Sequence, residues 1–169
     1  MNGLKGENKV QTIITENIKD FLQSQEFINI ATADFDGCPN VAPKFLLKIE
    51  GDYICLADYV MGRTYRNIKI NPKVSLSTVN MDTLTGYQIN GKAQIIERGT
   101  EYKAFMEGFR NKQIQLCVTR IIQGVHKEAR HGAFETSLPE RIAVFKIRVE
   151  EIVEIIPTGE LKRRARRGV

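Results

Sequence analysis

Residues 27–57 read FINIATADFDGCPNVAPKFLLKIEGDYICLA, a run of β-formers broken by two turn signals. Phe27 to Ala33 is rich in β-formers and stops at Asp36-Gly37, a strong turn dipeptide. A second strand follows through Val41 and Phe45 to Ile49 and ends at Glu50-Gly51-Asp52, and a third runs from Tyr53 to Ala57. Three short strands at this spacing form an antiparallel meander.

Working outward, Val10, Ile13, Ile14, Ile18, Phe21 and Leu22 recur at helical spacing, so an amphipathic helix is expected over about residues 9–24. Beyond the meander, Arg63 to Ile70 lies between Gly62 and Asn71-Pro72. Because proline disfavours helical geometry in the residue before it, this segment reads as two or three helical turns. Strands are expected over 73–79 and 86–96, joined by the polar turn Asn80 to Thr83. Residues 101–124 are helical by composition, with Tyr102, Phe105, Met106 and Phe109 on one stripe; Gly108 and Asn111 to Gln113 leave a division in two open. Residues 125–140 read as loop. A last strand alternates from Ala143 and runs on to Ile156, before Pro157. The expectation is a mainly β protein with flanking helices, its six antiparallel strands closed into a barrel.

The chain has 169 residues, 42% hydrophobic and 27% charged, which suits one globular domain and excludes disordered and collagen-like chains. No apolar run approaches a membrane span, and residues 1–9 carry no apolar leader segment, so secretion is not expected. Cys38, Cys55 and Cys117 are odd in number without metal-type spacing, and read as reduced thiols of a cytoplasmic protein. The net charge of +5 is local. Residues 158–169 hold five of the 25 bases and one of the 20 acids, leaving a body at +1. The expected organisation is a single domain over 1–157 and a basic tail over 158–169. That tail suits nucleic acid, an anionic surface or a nucleotide's phosphates, or equally a disordered solubilising end.

The segment from Phe27 to Ile96 resembles the flavin-binding split-barrel family typified by pyridoxamine 5′-phosphate oxidase. Ala31-Thr32, Asp36-Gly37, Pro39, Val41, Pro43, Gly62-Arg63-Thr64, Asn67-Ile68, Asn71-Pro72, Val74 and Gly91-Lys92-Ala93 carry the resemblance by their order and spacing. It implies a six-stranded, antiparallel, Greek-key-like split barrel. It also implies a homodimer binding FMN in two equivalent interface clefts.

The implied site is specific. Gly62-Arg63-Thr64 at a helix start offers N–H groups, a guanidinium and a hydroxyl to a dianionic phosphate; read alone, Arg63 and Arg66 are equally solvated surface charges. Ala42, Pro43, Lys44 and Phe45 match the strand along the ring, where backbone N–H groups would bond its edge and Lys44 would stabilise reduced flavin, unless it points outward from an edge strand. Ala57, Asp58 and Tyr59 match residues lining the ribityl chain and phosphate; an acid at 58 fits there if it points away. Gln88, with Tyr87, would reach the flavin from the partner subunit, although strand packing explains Tyr87 as well. The Arg-x-His element that vitamin-B6 oxidases carry near the C-terminus is absent.

No P-loop, dinucleotide fingerprint, zinc-protease or nucleophile-elbow motif occurs. Cys117 reads as core, and Cys117, His126 and His131 lack a fourth metal ligand. What the resemblance implies is an FMN-dependent oxidoreductase passing electrons from a reduced nicotinamide to a small acceptor or oxygen. The alternative is a non-enzymatic module on the same barrel, holding flavin or haem; a deazaflavin is a third ligand open to this fold.

Overall fold

The computed structural model describes residues 12–126 and 141–166. In chain order the elements are α1 (Glu16–Gln23), β1 (Phe27–Ala33), β2 (Pro39–Glu50), β3 (Tyr53–Asp58), α2 (Arg63–Ile70), β4 (Lys73–Asn80), β5 (Thr85–Ile96), α3 (Gly99–His126), β6 (Ala143–Ile155) and β7 (Leu161–Ala165). All six strands expected from the sequence form.

Every pairing is antiparallel, in the order β3-β2-β1-β4-β5-β6-β7, and β3 also pairs with β6. That extra pairing closes six strands into a barrel. Asp36-Gly37 makes the first reversal: Gly37 has φ +80°, which glycine adopts without steric cost. Asp34 Oδ1 accepts the N–H groups of Asp36 and Cys38 across the same turn. Gly91 answers a different need. β5 and β6 slip register between Asn90 and Gly91, and a β-carbon on Gly91 would lie 2.3 Å from the Arg148 carbonyl oxygen.

Alternation along the strands separates two cores. Ile28, Ile30, Leu46, Ile54, Leu56, Leu76, Ile89, Phe145 and Ile147 fill the barrel, and Ile18 and Leu22 of α1 join them. On the outer side, Phe45, Cys55, Ala57, Ile96 and Val144 meet Met106 and Phe109 of α3. Phe45 and Phe109 pack edge-to-face with centroids 5.5 Å apart.

Three expectations change. The first helix starts at Glu16, not near residue 9; residues 9–11 lie outside the described residues. Ile13 and Ile14 are buried, yet both their N–H groups donate to Asp52 Oδ1, at 2.8 and 3.3 Å, so a distant carboxylate takes donors away from the helix. The second long helix is continuous through Gly108 and the 111–113 segment. Part of the expected loop, Val125 and His126, belongs to it, and 127–140 lie outside the described residues.

The third change concerns the basic end. β6 pairs with β3 only through Arg148, which leaves the edge of its second half open. Leu161–Ala165 fills that edge, with Lys162 opposite Glu154 and Arg163 opposite Val153. Arg163 reaches Glu151 at 3.4 Å, and Arg166 reaches Asp52 at 2.6 Å. The expectation of a disordered end therefore fails over these residues: cations align along a strand that carries acids. Among the described residues, no helix is long and apolar enough to cross a membrane.

Candidate functional site

The site develops where the sheet splits. β3 ends at Asp58, so β2 has no β3 partner from Pro39 to Pro43, although β1 pairs with it throughout. Leu46 N donates to Glu26 O at 3.0 Å. By antiparallel alternation, the N–H groups of Lys44, Ala42 and Asn40 then also point to β1. The odd positions face the open edge. Pro39 and Pro43 have no N–H, so this edge offers the Val41 N–H and the carbonyls of Pro39, Val41 and Pro43. That corrects the expectation of a row of backbone donors over 42–45: the ladder uses two of them, proline removes a third, and the Phe45 N–H faces β3.

Across the split runs the turn 59–62 into α2. Its organiser is Asp58, only 1% exposed. Asp58 Oδ1 accepts Lys44 Nζ at 2.9 Å and the N–H groups of Val60 and Met61 at 3.1 and 3.3 Å. Asp58 Oδ2 is buried without a hydrogen-bond partner. Met61 takes φ +49°, a left-handed conformation uncommon for a residue with a β-carbon. Gly62 then caps α2, and the first intrahelical bond runs from Arg66 N to Gly62 O at 3.3 Å. The N–H groups of Arg63, Thr64 and Tyr65 precede it and point along the helix axis toward the turn.

Arg63 is exposed, and among the described residues it makes no hydrogen bond or ion pair. Thr64 is buried, and its hydroxyl accepts Asn40 Nδ2 at 3.0 Å. Asn67 Nδ2 donates to Thr32 Oγ1 at 3.2 Å, and Asn40 lies 3.4 Å from the same oxygen. A polar seam of Thr32, Asn40, Thr64 and Asn67 thus fastens α2 to β1 and β2. Sequence reasoning gave Asn40 no role and used Thr32 and Asn67 only as family marks. The signal was there: Thr64 and Asn67, three apart on one helix face, have to find polar partners if that face is buried.

The remaining candidates fall in three places. Lys44 is 8% exposed and on the barrel's inner side, not outward as an edge residue would be. Phe45 and Ala57 are fully buried beneath α3, and Tyr59 is half-buried against the same cluster. Pro43 and Ala42 remain at the split, exposed and partly exposed respectively. Gln88 is exposed on the outer face of β5, in the cross-strand row Pro43, Asn29, Ser77, Gln88. Three strand spacings separate it from Pro43, roughly 14 Å. Tyr87 points the other way, against Phe21 with centroids 4.8 Å apart, and its hydroxyl reaches Glu154 at 3.3 Å. Burial and the neighbouring Glu154 raise the Tyr87 pKa.

Cys55 is not set up as a nucleophile. Burial pushes Cys55 up to about 11. Among the described residues, no cluster of three His, Cys, Asp or Glu is placed to hold a metal ion.

A family model described as pyridoxamine 5′-phosphate oxidase matches residues 14–156. An uncharacterized protein of Methanocaldococcus jannaschii, MJ0282, is 38% identical over 93 residues, 53% of this chain and 61% of that protein. Heme oxygenase HutZ of Vibrio cholerae is 29% identical over 77 residues, 46% of this chain and 43% of that protein. The chain thus spans less than two thirds of the length of either curated relative. The crystal structure of HupZ from Group A Streptococcus superimposes with a TM-score of 0.61 at 27% identity, covering 88% of this chain and 98% of that one.

Proposed function

Since the chain belongs to the pyridoxamine 5′-phosphate oxidase family, we propose that it is an FMN-binding oxidoreductase taking electrons from a reduced nicotinamide and passing them to a small acceptor or to oxygen. One observation carries the reading. At the start of α2, the first-turn N–H groups, the Arg63 guanidinium, unpaired among the described residues, and the Thr64 hydroxyl stand together beside the split in the sheet. That donor set suits a dianionic phosphate. The open β2 edge suits the other end of the ligand. A flavin ring edge carries one N–H between two carbonyl oxygens; the Val41 N–H can serve one of those oxygens and a β2 carbonyl the ring N–H.

The chain's own residues then have separable tasks. Arg63 supplies the full positive charge to the phosphate, and Thr64 still has a proton to donate while its oxygen accepts Asn40. Ala42 and Pro43 form the strand wall, with Lys44 and Phe45 fixing it from opposite faces. Ala57, Asp58 and Tyr59 lead the chain from that wall to the phosphate end. Bound FMN supplies hydride acceptance and electron release at its ring.

Gln88, outward-facing on β5 and roughly 14 Å from Pro43, would have its task in a homodimer, against the partner's ligand. Phe27, Val41 and Val79 are 41%, 64% and 51% exposed on the same outer sheet face, an apolar surface suited to a second copy. A cytoplasmic, small-molecule enzyme with FMN at that interface is the assembly this reading implies.

The experiment is direct. The purified protein is examined by absorption spectroscopy, titrated with FMN, supplied with NADH or NADPH in air, and sized by light scattering. Bound flavin, nicotinamide turnover and a dimer mass are expected. A colourless protein that takes up no FMN at about micromolar concentration refutes the reading.

A second reading has its own support. HutZ, 29% identical over 77 residues, is a heme oxygenase. A haem-holding module on this barrel predicts a Soret band on haem addition and no nicotinamide turnover. Loss of that band in His126→Ala or His131→Ala would identify the axial ligand.

A further inference from the structure

One buried charged pair lies behind the proposed site rather than against the ligand. Lys44 and Asp58 meet at 2.9 Å on the inner side of the barrel, with side chains 9% and 1% exposed. Stability alone does not account for them, because an apolar pair of similar volume generally serves as well in an interior. What an apolar pair lacks is an acceptor. A single oxygen, Asp58 Oδ1, takes the ammonium of Lys44 and also the N–H groups of Val60 and Met61. Those two N–H groups belong to the bend that carries the chain from β3 into α2. The bend includes Met61 at φ +49°, a conformation that lasts only where its surroundings impose it.

We propose that Asp58 is the positioning residue of the anion site: its carboxylate clamps the 59–62 turn and thereby sets the direction of α2's first N–H groups and of Arg63. Lys44 is the counter-charge that makes this carboxylate tolerable in the interior. The inference rests on reading residues 62–64 as the phosphate anchor of a bound nucleotide. It changes two assignments. Lys44 is engaged by Asp58 and does not stabilise a reduced ring. The charge of the pair cancels, so the site's attraction for an anion comes from Arg63 and the helix N-terminus alone.

Two double variants separate the clamp from the charge. Lys44→Met with Asp58→Asn removes both charges but leaves an amide oxygen where Oδ1 stood. Lys44→Met with Asp58→Leu removes the charges and the acceptor. Each is measured for thermal midpoint, for FMN affinity by fluorescence quenching, and for the rate of trypsin cleavage after Arg63 and Arg66 without FMN. The asparagine double should lose clearly less FMN affinity than the leucine double and keep more of the parent's resistance to trypsin. The leucine double should remain folded, lose about tenfold or more in affinity, and be cut faster in the turn.

Parent-like affinity and resistance in the leucine double overturn the proposal. Equal losses in the two doubles also overturn it, because they assign the effect to charge. If the parent takes up no FMN, the phosphate-anchor reading fails, while the trypsin comparison still decides whether Asp58 holds the turn. Hydrogen exchange in the parent protein needs no variant: Val60 and Met61 should be protected, and exchange at the rate of an open turn refutes the clamp.

Discussion

Arg63→Ala, set beside Arg66→Ala, tests the phosphate anchor most sharply. Both side chains are exposed on α2, and among the described residues neither makes an ion pair. Each substitution should therefore leave stability within about 0.5 kcal/mol of the parent. Their positions differ by three residues, about 4.5 Å along the helix axis. Arg63 is the first residue of α2, beside the free N–H groups. A charge-assisted hydrogen bond is worth about 1.5–3 kcal/mol, so its loss should raise the FMN Kd roughly 10- to 150-fold. Arg66 acts only through space. A unit charge roughly 8 Å from a dianion contributes about 1 kcal/mol in water, and physiological salt cuts this to about a third. The expected change for Arg66→Ala is about twofold. The assay is FMN fluorescence quenching at fixed ionic strength, with circular dichroism melts to verify folding. Equal losses in the two variants, or less than about threefold for Arg63→Ala, would refute the assignment.

Three further outcomes follow from the fold. Gly91→Ala places a β-carbon 2.3 Å from the Arg148 carbonyl oxygen. β5 and β6 then have to separate, so a loss of about 3 kcal/mol and a Tm drop of about 6–12 °C are expected in a thermal melt. Asp52→Ala removes the acceptor shared by Ile13, Ile14 and Arg166. It should cost about 3 kcal/mol and expose β7 to trypsin; an unchanged digest would show that β7 holds without this tie. Cys38 is exposed and Cys55 buried, so residue-resolved thiol labelling should mark Cys38 far faster at neutral pH. Because the folded Cys55 pKa is raised from 9.0 to about 11, its stabilising effect is fully present below pH 9 and lost as pH rises toward 11. Stability should accordingly fall over that window in the parent and less so in Cys55→Ala.

Much of this architecture was legible in the chain. The strands β1 to β6 lie close to their expected bounds because alternation and turn chemistry act over a few residues. α2 falls between Gly62 and Asn71-Pro72 for the same local reason, which put Arg63 at a helix start before any tertiary contact was known. The candidate site was legible only as a neighbourhood. Arg63 and Thr64 open α2, as the local signals imply, but Phe45 and Ala57 lie under α3, and of the backbone donors foreseen over 42–45 two go to the β1 ladder, one faces β3 and Pro43 has none. Alternation gives two faces without saying which face a distant helix will cover.

The pairing of Lys44 with Asp58 shows the division most clearly. From the hairpin at Gly51, Glu50 pairs with Tyr53 and Lys48 with Cys55, a register that would put Lys44 opposite Tyr59. A bulge between Leu46 and Lys48 shifts the ladder by one residue, so Phe45 pairs with Ala57 and Lys44 comes level with Asp58. Nothing local to the sequence announces that bulge. The same holds at the two ends of the chain. Ile13 and Ile14 have the spacing of a helix, and residues 161–165 the composition of a tail. A carboxylate at Asp52 draws the first pair out of the helix, and an open β6 edge bearing acids recruits the second as a strand. The elements follow from local signals, because their causes lie within a few residues. Tertiary structure decided which charges meet and which backbone groups stay free, because those depend on register and on strands that end before their neighbours do.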